Sequence, residues 1–253
     1  MSLQGRVAVV SGGGRGIGRA IALGLAGDGA DIAINYRKDE QSARSAVEEI
    51  EAMGRKARAY AASIDDFAAD SAMVAQILAD FGSVGILVNN AGIASRGNSV
   101  ADTDPAEMER VVRTHAFGAH YLSKLCIPSM REQERGDIVM ISSGATRGLG
   151  ANGAPYNMAK TAMEALAITL SKEERKHGIH VNIVAPGLVE TEMGARLVRA
   201  TQGVQDLRQL DASMPFGHVC QPEEIADVVR FVVSDAARYM TGQRIYVDGG
   251  GAG

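Results

Sequence analysis

Residues 11–18, SGGGRGIG, decide the fold that this chain can adopt. They follow a short apolar, β-branched run at residues 6–10 and lead into a helical pattern at residues 17–26. Glycines in such a turn let backbone N–H groups approach a phosphate, and the helix N-terminus adds partial positive charge. A glycine cluster alone says little, but its place between the first strand and the first helix predicts dinucleotide binding.

Outward from this turn, short β-branched runs alternate with helical patterns. The alternation predicts an α/β, Rossmann-like fold: a doubly wound parallel sheet with helices on both faces. We expect a single domain over residues 1–253, with one long irregular segment, about 188–221, as a substrate loop. The expected strands are residues 6–10, 31–35, 56–62, 86–89, 137–142, 179–185 and 244–247, and the expected helices are residues 17–26, 41–53, 105–130, 156–176 and 223–234.

Composition narrows the class of protein further. The 253 residues are 46% hydrophobic, which suffices for a large core, and a net charge of -4 without a basic run argues against nucleic-acid binding. The two cysteines, Cys126 and Cys220, lack CxxC spacing, so we predict neither disulfides nor a metal site. The N-terminus lacks the apolar core of a signal peptide, and no apolar run approaches the roughly 20 residues that span a bilayer. We therefore expect a cytoplasmic protein without a membrane partner.

The end of the second strand predicts which dinucleotide is bound. In NAD-binding chains an acidic residue about 20 positions after the glycines binds the ribose hydroxyls. Here residues 35–38 read Asn-Tyr-Arg-Lys, with no acid before Asp39. Arg37, Lys38 and Arg15 offer cations that suit a 2′-phosphate. We expect NADP(H) to be favoured over NAD(H); the alternative is that these cations are simply solvated.

A second motif, APYNMAK at residues 154–160, places Tyr156 and Lys160 four residues apart after a proline. On a helix these two positions share one face. A lysine ammonium favours the phenolate, and lowering the tyrosine pKa by ~3 units requires about 4 kcal/mol. One close cation in a poorly hydrated site can supply much of that. The pair is a candidate general acid/base, although alone it also fits an ordinary helix surface.

Together these motifs resemble the short-chain dehydrogenase/reductase family over essentially the whole chain. The pattern is most similar to that of the bacterial 3-oxoacyl-acyl-carrier-protein reductases. Further matching motifs are Asn89-Asn90-Ala91-Gly92, Ser142-Ser143 thirteen residues before the tyrosine, Pro186-Gly187, and Asp248-Gly249-Gly250.

The resemblance implies a hydride transfer between NADPH and a ketone or secondary alcohol, with 3-oxoacyl thioesters as one substrate class. It implies that Tyr156 is the general acid, that Lys160 lowers its pKa and holds the nicotinamide ribose, and that Ser143 orients the carbonyl. It also implies a homotetramer, in which the helices at residues 105–130 and 156–176 form one dimer face. Cofactor contacts are implied for Gly12, Arg15, Gly16, Ile17, Gly18, Arg37, Ile64, Asn90, Tyr156, Lys160, Val189 and Thr191. Thr191 is equally suited to cap the next helix, and Asn89 is as easily a structural residue.

Three positions depart from the family pattern. His115 replaces the catalytic asparagine 28 residues before the serine, on an inward apolar stripe. It either holds the water that links Lys160 to solvent and titrates between about pH 5 and 8, or it fills space in a slow enzyme. Ser63, followed by Ile64, replaces an aspartate near the adenine. Glu134 and His177 replace basic residues of the acyl-carrier reductases, so docking of an acyl carrier protein is doubtful.

Two other function classes stay open beside the reductase. A cofactor-binding protein that no longer catalyses would act as a sensor or scaffold, and a structural subunit would activate a partner enzyme. Ser143, Tyr156 and Lys160 favour catalysis, whereas His115 keeps both alternatives open. The apolar side chains of residues 188–221 fit either an apolar substrate or a loop that packs on its own domain.

Overall fold

The computed structural model describes residues 2–251, and a seven-stranded parallel sheet runs through them in the order β3-β2-β1-β4-β5-β6-β7. This confirms the doubly wound α/β fold. The strands are β1 (Val7–Ser11), β2 (Asp31–Tyr36), β3 (Ala57–Ala61), β4 (Ile86–Asn89), β5 (Gly136–Ile141), β6 (Ile179–Pro186) and β7 (Arg244–Val247). The helices are α1 (Gly16–Gly27), α2 (Glu40–Ala52), α3 (Phe67–Phe81), α4 (Pro105–Val112), α5 (Gly118–Met130), α6 (Ala145–Gly148), α7 (Ala154–Glu174), α8 (Glu192–Gln202) and α9 (Pro222–Val232).

The sheet separates two apolar cores because successive side chains of a strand point to opposite faces. On β1, Ala8 and Val10 pack into the core beneath α1, α2 and α9. Val9 between them packs into the core beneath α3, α5 and α7. All five residues of β1 are buried, as expected for a central parallel strand covered on both faces. This arrangement brings the carboxyl ends of β1, β4, β5 and β6 to one edge.

Helix α3 lies outside the elements predicted from the sequence. It begins after Asp66, whose carboxylate accepts the N–H groups of Ala68 and Ala69, and it ends at Gly82, which has φ +84°. These are ordinary start and stop signals for a helix. The helix buries Met73 and other apolar side chains against the second core.

The helix expected at residues 105–130 is interrupted. A π-helical turn, Arg113–Phe117, joins α4 to α5. Single π turns inside helices are rare and frequently occur at functional sites. His115 lies within this turn and is 2% exposed, so the inward direction expected for its side chain is confirmed.

The segment at residues 188–221 is not irregular throughout, so that part of the expectation is wrong. Helix α8 occupies its centre, and short 3₁₀ turns follow at Leu207–Ser213 and Pro215–Gly217. Val198 and Leu207 are buried in a small separate cluster. Other apolar side chains of the segment stay exposed: Met193, Leu197 and Phe216. The segment therefore packs on itself and also presents apolar surface.

Within residues 2–251, no helix is both long and apolar enough to cross a bilayer. The same residues contain no group of three or more His, Cys, Asp or Glu side chains placed to hold a metal ion. Cys126 is a buried free thiol, and Cys220 is a partly exposed one.

Candidate active site

The candidate site lies where the strand order reverses, at the carboxyl ends of β1, β4, β5 and β6. Ligands of open α/β sheets bind at such a switch point. The glycine turn follows β1, Asn90 follows β4 and Ser143 follows β5, while Val189 and Thr191 follow β6. The fold therefore brings motifs that are up to 180 residues apart in the sequence to one edge of the sheet.

The glycine turn fits a dinucleotide phosphate. Gly12 and Gly16 have φ values of +64° and +52°, which side chains disfavour. A Cβ on Gly18 would lie 2.3 Å from the carbonyl oxygen of Gly12, so only glycine permits this close packing. The Asn90 side chain braces the turn by donating to the carbonyl oxygen of Ser11 at 2.9 Å. In the described residues no side chain caps the N-terminus of α1, so its first N–H groups are left for an anion.

The predicted cations lie beside this turn. Arg37 and Lys38 are exposed just after β2, and neither makes an ion pair within the described chain. Arg15, by contrast, has a Glu192 carboxylate oxygen 2.7 Å from its Nη1 and an Asp39 oxygen at 4.0 Å. All of these contacts are solvent-exposed, so they hold Arg15 only weakly. A 2′-phosphate would compete with Glu192 for Arg15.

Tyr156 and Lys160 sit one turn apart at the start of α7, which begins with Pro155 near its N-terminus. The Lys160 Nζ lies 5.7 Å from the centre of the Tyr156 ring. Burial raises the pKa of the Tyr156 phenol, and the side chain of Ser143 opposes that rise. The net direction is upward because burial dominates, and the lowering by Lys160 that the resemblance implies stays a prediction.

Lys160 is itself perturbed. Its side chain is 4% exposed, and its Nζ donates to the carbonyl oxygen of Ile141 at 2.6 Å. Burial lowers the pKa of Lys160 to about 7, and the nearby Glu164 carboxylate opposes that change. A buried ammonium with one hydrogen bond can lose its proton near neutrality.

His115 faces the same tyrosine. Its ring meets the Tyr156 ring edge to face, with centroids 5.3 Å apart. The His115 Nε2 lies 2.8 Å from the carbonyl oxygen of Ile93 and 3.2 Å from the nitrogen of the Ile93 N–H. The carbonyl contact requires the proton on Nε2, whereas the N–H contact requires the other tautomer. With the proton on Nε2, Nδ1 is an acceptor, and it is buried without a hydrogen-bond partner among the described residues. Burial, followed by the charge of Lys160, lowers the pKa of His115 to about 3, so the expected titration between pH 5 and 8 is wrong.

The remaining predicted cofactor contacts are of two kinds. One is a side chain with a role in the fold, and the others are buried residues that can contact a cofactor only through their backbone. The Thr191 hydroxyl accepts the Gly194 N–H at 3.0 Å and so caps α8, which is the structural alternative. Its methyl group also lies 3.3 Å from where a Cβ on Gly16 would be, which places it at the glycine turn. Ile64 and Val189 are buried, so their backbones are the parts left for a cofactor contact.

Three polar residues around this site, Glu164, Thr146 and Arg244, lie outside the sequence predictions. Glu164 is 1% exposed, and the hydroxyls of Ser142 and Thr146 lie within 2.9 Å of its Oε1. The Arg244 guanidinium lies 2.7 Å from its other oxygen. One signal was readable: Glu164 is an acid four residues after Lys160, next to the buried Met163 on a helix whose inward side is otherwise mostly apolar.

Comparisons with known proteins agree with this geometry. A family model described as Enoyl-(Acyl carrier protein) reductase matches residues 12–251. A 3-oxoacyl-[acyl-carrier-protein] reductase of Staphylococcus aureus is 36% identical over 249 residues, which cover 96% of each chain. A short chain dehydrogenase from Burkholderia cenocepacia, solved in complex with NADP, superposes with a TM-score of 0.89 at 35% identity over 99% of both chains. An NAD+-bound xylitol dehydrogenase gives a TM-score of 0.91 at 29% identity, covering 99% of this chain and 100% of that one.

Proposed function

The chain belongs to the short-chain dehydrogenase/reductase family, and on that premise we propose that it is an NADPH-dependent reductase of ketones, with 3-oxoacyl thioesters among its candidate substrates. The observation that carries the proposal is the grouping of Tyr156 with Ser143, whose side chain acts on the pKa of the phenol, and with the buried Lys160, whose Nζ lies 5.7 Å from the centre of the tyrosine ring. This cluster lies at the same sheet edge as the glycine turn. A proton donor and a hydride donor would thus meet at one carbonyl group.

The nicotinamide, when bound, supplies the hydride, and the chain supplies position and a proton. Because burial raises the pKa of Tyr156, its phenol stays protonated near neutral pH and can protonate the carbonyl oxygen. Ser143, whose side chain lies next to that phenol, would donate to the same oxygen as negative charge develops on it. Lys160 in its ammonium form would stabilise the tyrosinate that remains.

We assign His115 a role in returning the proton. It is neutral over the working pH range, and its Nδ1 is a buried acceptor next to Tyr156. A neutral imidazole can hold a water molecule by accepting from it, as an asparagine oxygen does. The rival function, a cofactor-binding protein without catalysis, rests on the same substitution. Turnover by the purified protein separates the two.

The preference for NADPH is supported by the exposed Arg37 and Lys38 at the end of β2 and by the absence of an acid at Tyr36. Titration of the protein with both cofactors tests it, and we expect NADPH to bind more tightly than NADH. Arg37→Asp should reverse the preference, because a carboxylate repels the 2′-phosphate and accepts from ribose hydroxyls. Arg44→Asp, a change of another exposed arginine on α2, is the matched control and should leave the ratio of the two affinities unchanged. NADH binding at least as tightly to the wild type would contradict the proposal.

The substrate proposal rests on exposed apolar side chains. Met193, Leu197 and Phe216 lie on the segment after β6, and Leu149 and Met158 flank Tyr156 in the sequence. Apolar groups left exposed near a reaction centre favour an apolar ligand. Consumption of NADPH should be measured with short ketones, long-chain ketones and 3-oxoacyl thioesters. We expect the apolar substrates to give the higher kcat/KM, and equal values along the series would refute an apolar site.

We also propose that the chain forms a homotetramer. Phe67 on α3 and Phe117 beside α5 are exposed, and both contact Tyr121. An exposed aromatic cluster of this kind is typical of a surface that a second subunit covers. Light scattering at several concentrations tests the assembly, and a monomer at all of them would refute it. A cytoplasmic location fits the free thiols.

Docking of an acyl carrier protein would require cations near Glu134 and His177. Arg135, which follows Glu134, is already engaged with Asp137 through two nitrogens at 2.9 and 3.0 Å. Arg175 and Lys176 are exposed and stay available to an acidic partner. Comparing thioesters of the carrier protein with the same acyl group on a small thiol would measure any contribution of docking.

A further inference from the structure

Glu164 is a buried carboxylate that the mechanism above does not use. It lies on α7 one turn after Lys160 and is 1% exposed. Burying a carboxylate is costly unless hydrogen bonds and an opposite charge compensate it. Here the Ser142 hydroxyl donates to its Oε1 at 2.5 Å, and the Arg244 Nη2 lies 2.7 Å from its Oε2. The chain therefore holds this charge in place from two directions, β5 and β7.

The hydrogen bonds of Glu164 converge on the turn that carries Ser143. The Thr146 Oγ1 lies 2.9 Å from both the Glu164 Oε1 and the carbonyl oxygen of Ser143. Ser142, the residue before Ser143, donates to the same carboxylate oxygen. The backbone on both sides of Ser143 is thus tied to one carboxylate on α7, the helix that also carries Tyr156 and Lys160. A shift of that carboxylate would move the serine relative to the tyrosine.

Glu164 also supplies the negative charge that acts most strongly on the pKa of Lys160. The carboxylate favours the protonated lysine, against the burial that disfavours it. The titratable groups that pack around the buried part of α7 are engaged with a partner or neutral. They are His115 on the π turn, Tyr156 on α7 itself, Glu107 on α4 with Arg96, Asp137 on β5 with Arg6 and Arg135, Glu174 on α7 with Arg131, and Tyr246 beside Arg244 on β7. Lys172 and Glu173 on α7 are exposed and lie roughly three turns beyond Lys160.

We propose that Glu164, paired with Arg244, is a positioning residue that fixes the turn carrying Ser143 and holds a carboxylate one helical turn from Lys160. Its consequence for turnover rests on the proposed function, but its effect on Lys160 does not. Arg244 sets the strength of the effect, because it neutralises part of the charge that Lys160 experiences. Removing the carboxylate should therefore lower the pKa of Lys160, and removing the guanidinium should raise it.

The test follows the ionisation of Lys160 by NMR in protein labelled with ¹³C at lysine Cε, with Lys160→Met identifying the signal. The wild type should titrate near pH 7. Glu164→Gln keeps an acceptor oxygen for the two hydroxyls and removes the charge, so the midpoint should fall by about one pH unit or more. Arg244→Met leaves the carboxylate unneutralised, so the midpoint should rise. Glu173→Gln, at an exposed glutamate on the same helix, is the matched control and should leave it unmoved.

Kinetics provide the second measurement. If the chain reduces ketones as proposed, the limb of the kcat–pH profile that reports Lys160 should move with the NMR midpoint in each variant. A Glu164→Gln protein that melts earlier but keeps the wild-type midpoint would show a purely structural ion pair and overturn the inference. If Glu164→Gln fails to fold, an unchanged or lowered midpoint in Arg244→Met overturns it instead. Absence of turnover in the wild type would refute the proposed function and leave the NMR result to decide this inference alone.

Discussion

Charged side chains are buried at both ends of the sheet, but they have different numbers of hydrogen-bond partners. At the amino end, Asp137 on β5 is 1% exposed and accepts from Arg6 at 2.7 Å and from two nitrogens of Arg135. Arg6 also donates to the carbonyl oxygens of Gly85 and Val233, so the cluster ties β1, β4 and β5 to the end of α9. At the carboxyl end, the buried Lys160 has one hydrogen bond, and His115 keeps an unpartnered nitrogen among the described residues.

The difference separates charged groups that hold the fold from charged groups that we propose take part in catalysis. Burial raises the pKa of Asp137, but the hydrogen bonds and charges of Arg135 and Arg6 oppose that rise and hold the carboxylate in one position. An incompletely paired lysine or tyrosine has a perturbed pKa and can exchange a proton, which is what a catalytic group requires. Substitutions at the carboxyl end should therefore lower activity more than stability, and substitutions at the amino end should lower stability more than activity.

The largest expected effect is that of Tyr156→Phe. Removing the phenolic hydroxyl deletes the proposed proton donor and should lower kcat by about 10²–10⁴-fold. The contact of this hydroxyl with Ser143 is lost with it, so the free energy of unfolding should change by no more than about 1 kcal/mol. Steady-state kinetics and urea unfolding measure the two quantities, and NADPH affinity is the control. Near-normal turnover would show that another group donates the proton.

Asp137→Asn should show the reverse pattern. It leaves two partly buried guanidinium groups without their counter-charge, so unfolding should become easier by about 3 kcal/mol. The catalytic groups lie at the opposite edge, so kcat of the folded protein should stay close to wild type. A loss of kcat with unchanged stability would contradict the claim that the buried charge at the amino end serves stability alone.

Asp70 is a third case for this comparison of buried charged groups. It is buried and unpaired, but it lies on α3 and belongs to neither group of charges at the ends of the sheet. It is fully buried, and neither carboxylate oxygen has a partner within residues 2–251. Burial, with Asp66 and Asp65 nearby, raises the pKa of Asp70 to about 7. The folded state then binds a proton that the unfolded state has lost above about pH 4, so stability falls as pH rises from about 4 to 7.

Asp70→Asn should remove that loss. A full shift of ~3 units is worth about 4 kcal/mol, and relaxation around the carboxylate reduces it, so we expect about 2 kcal/mol of stabilisation at pH 8. The two proteins should be nearly equal at pH 4, which is the internal control. Urea unfolding at both pH values measures this. Equal stability of both proteins at pH 8 would mean that Asp70 ionises normally.

The smallest expected effect is that of His115→Asn on the pH profile. Because the pKa of His115 is lowered to about 3, the profiles of wild type and variant should superimpose between about pH 5 and 8. His115→Leu, which offers no acceptor, should lower kcat if the imidazole holds the relay water. A histidine limb that disappears in His115→Asn would show that the ring titrates after all. Equal kcat in His115→Leu would remove the relay role.

The fold was readable from the sequence because its signals are local. Strand and helix periods, the glycine turn and the spacing of Tyr156 from Lys160 all arise within a few residues. The start and stop signals of α3, Asp66 and Gly82, were also local, but the helix was not predicted. The π turn was not readable, because its extra residue is set by packing of α4 and α5 against α7.

The sequence predicted which residues gather at the candidate site, but it did not predict their electrostatics, and the catalytic roles of these residues stay predictions. Ser143, Tyr156 and His115 are brought together, but the direction of the Tyr156 pKa depends on burial, which no motif encodes. The pairing of Glu164 with Arg244 joins residues 80 positions apart through the order of β6 and β7. Such pairs require the three-dimensional arrangement of the sheet.

The most direct test of the reductase assignment is to follow the hydride itself. Purified wild-type protein would be incubated with NADPH deuterated at C4 of the nicotinamide and with the ketone and thioester series, and the alcohols analysed by mass spectrometry. The account predicts deuterium on the former carbonyl carbon, one per NADPH oxidised, and a loss of its formation in Tyr156→Phe of about 10²-fold or more. Tight binding of NADPH without deuterated product from any member of the series would contradict it and favour a cofactor-binding protein without catalysis.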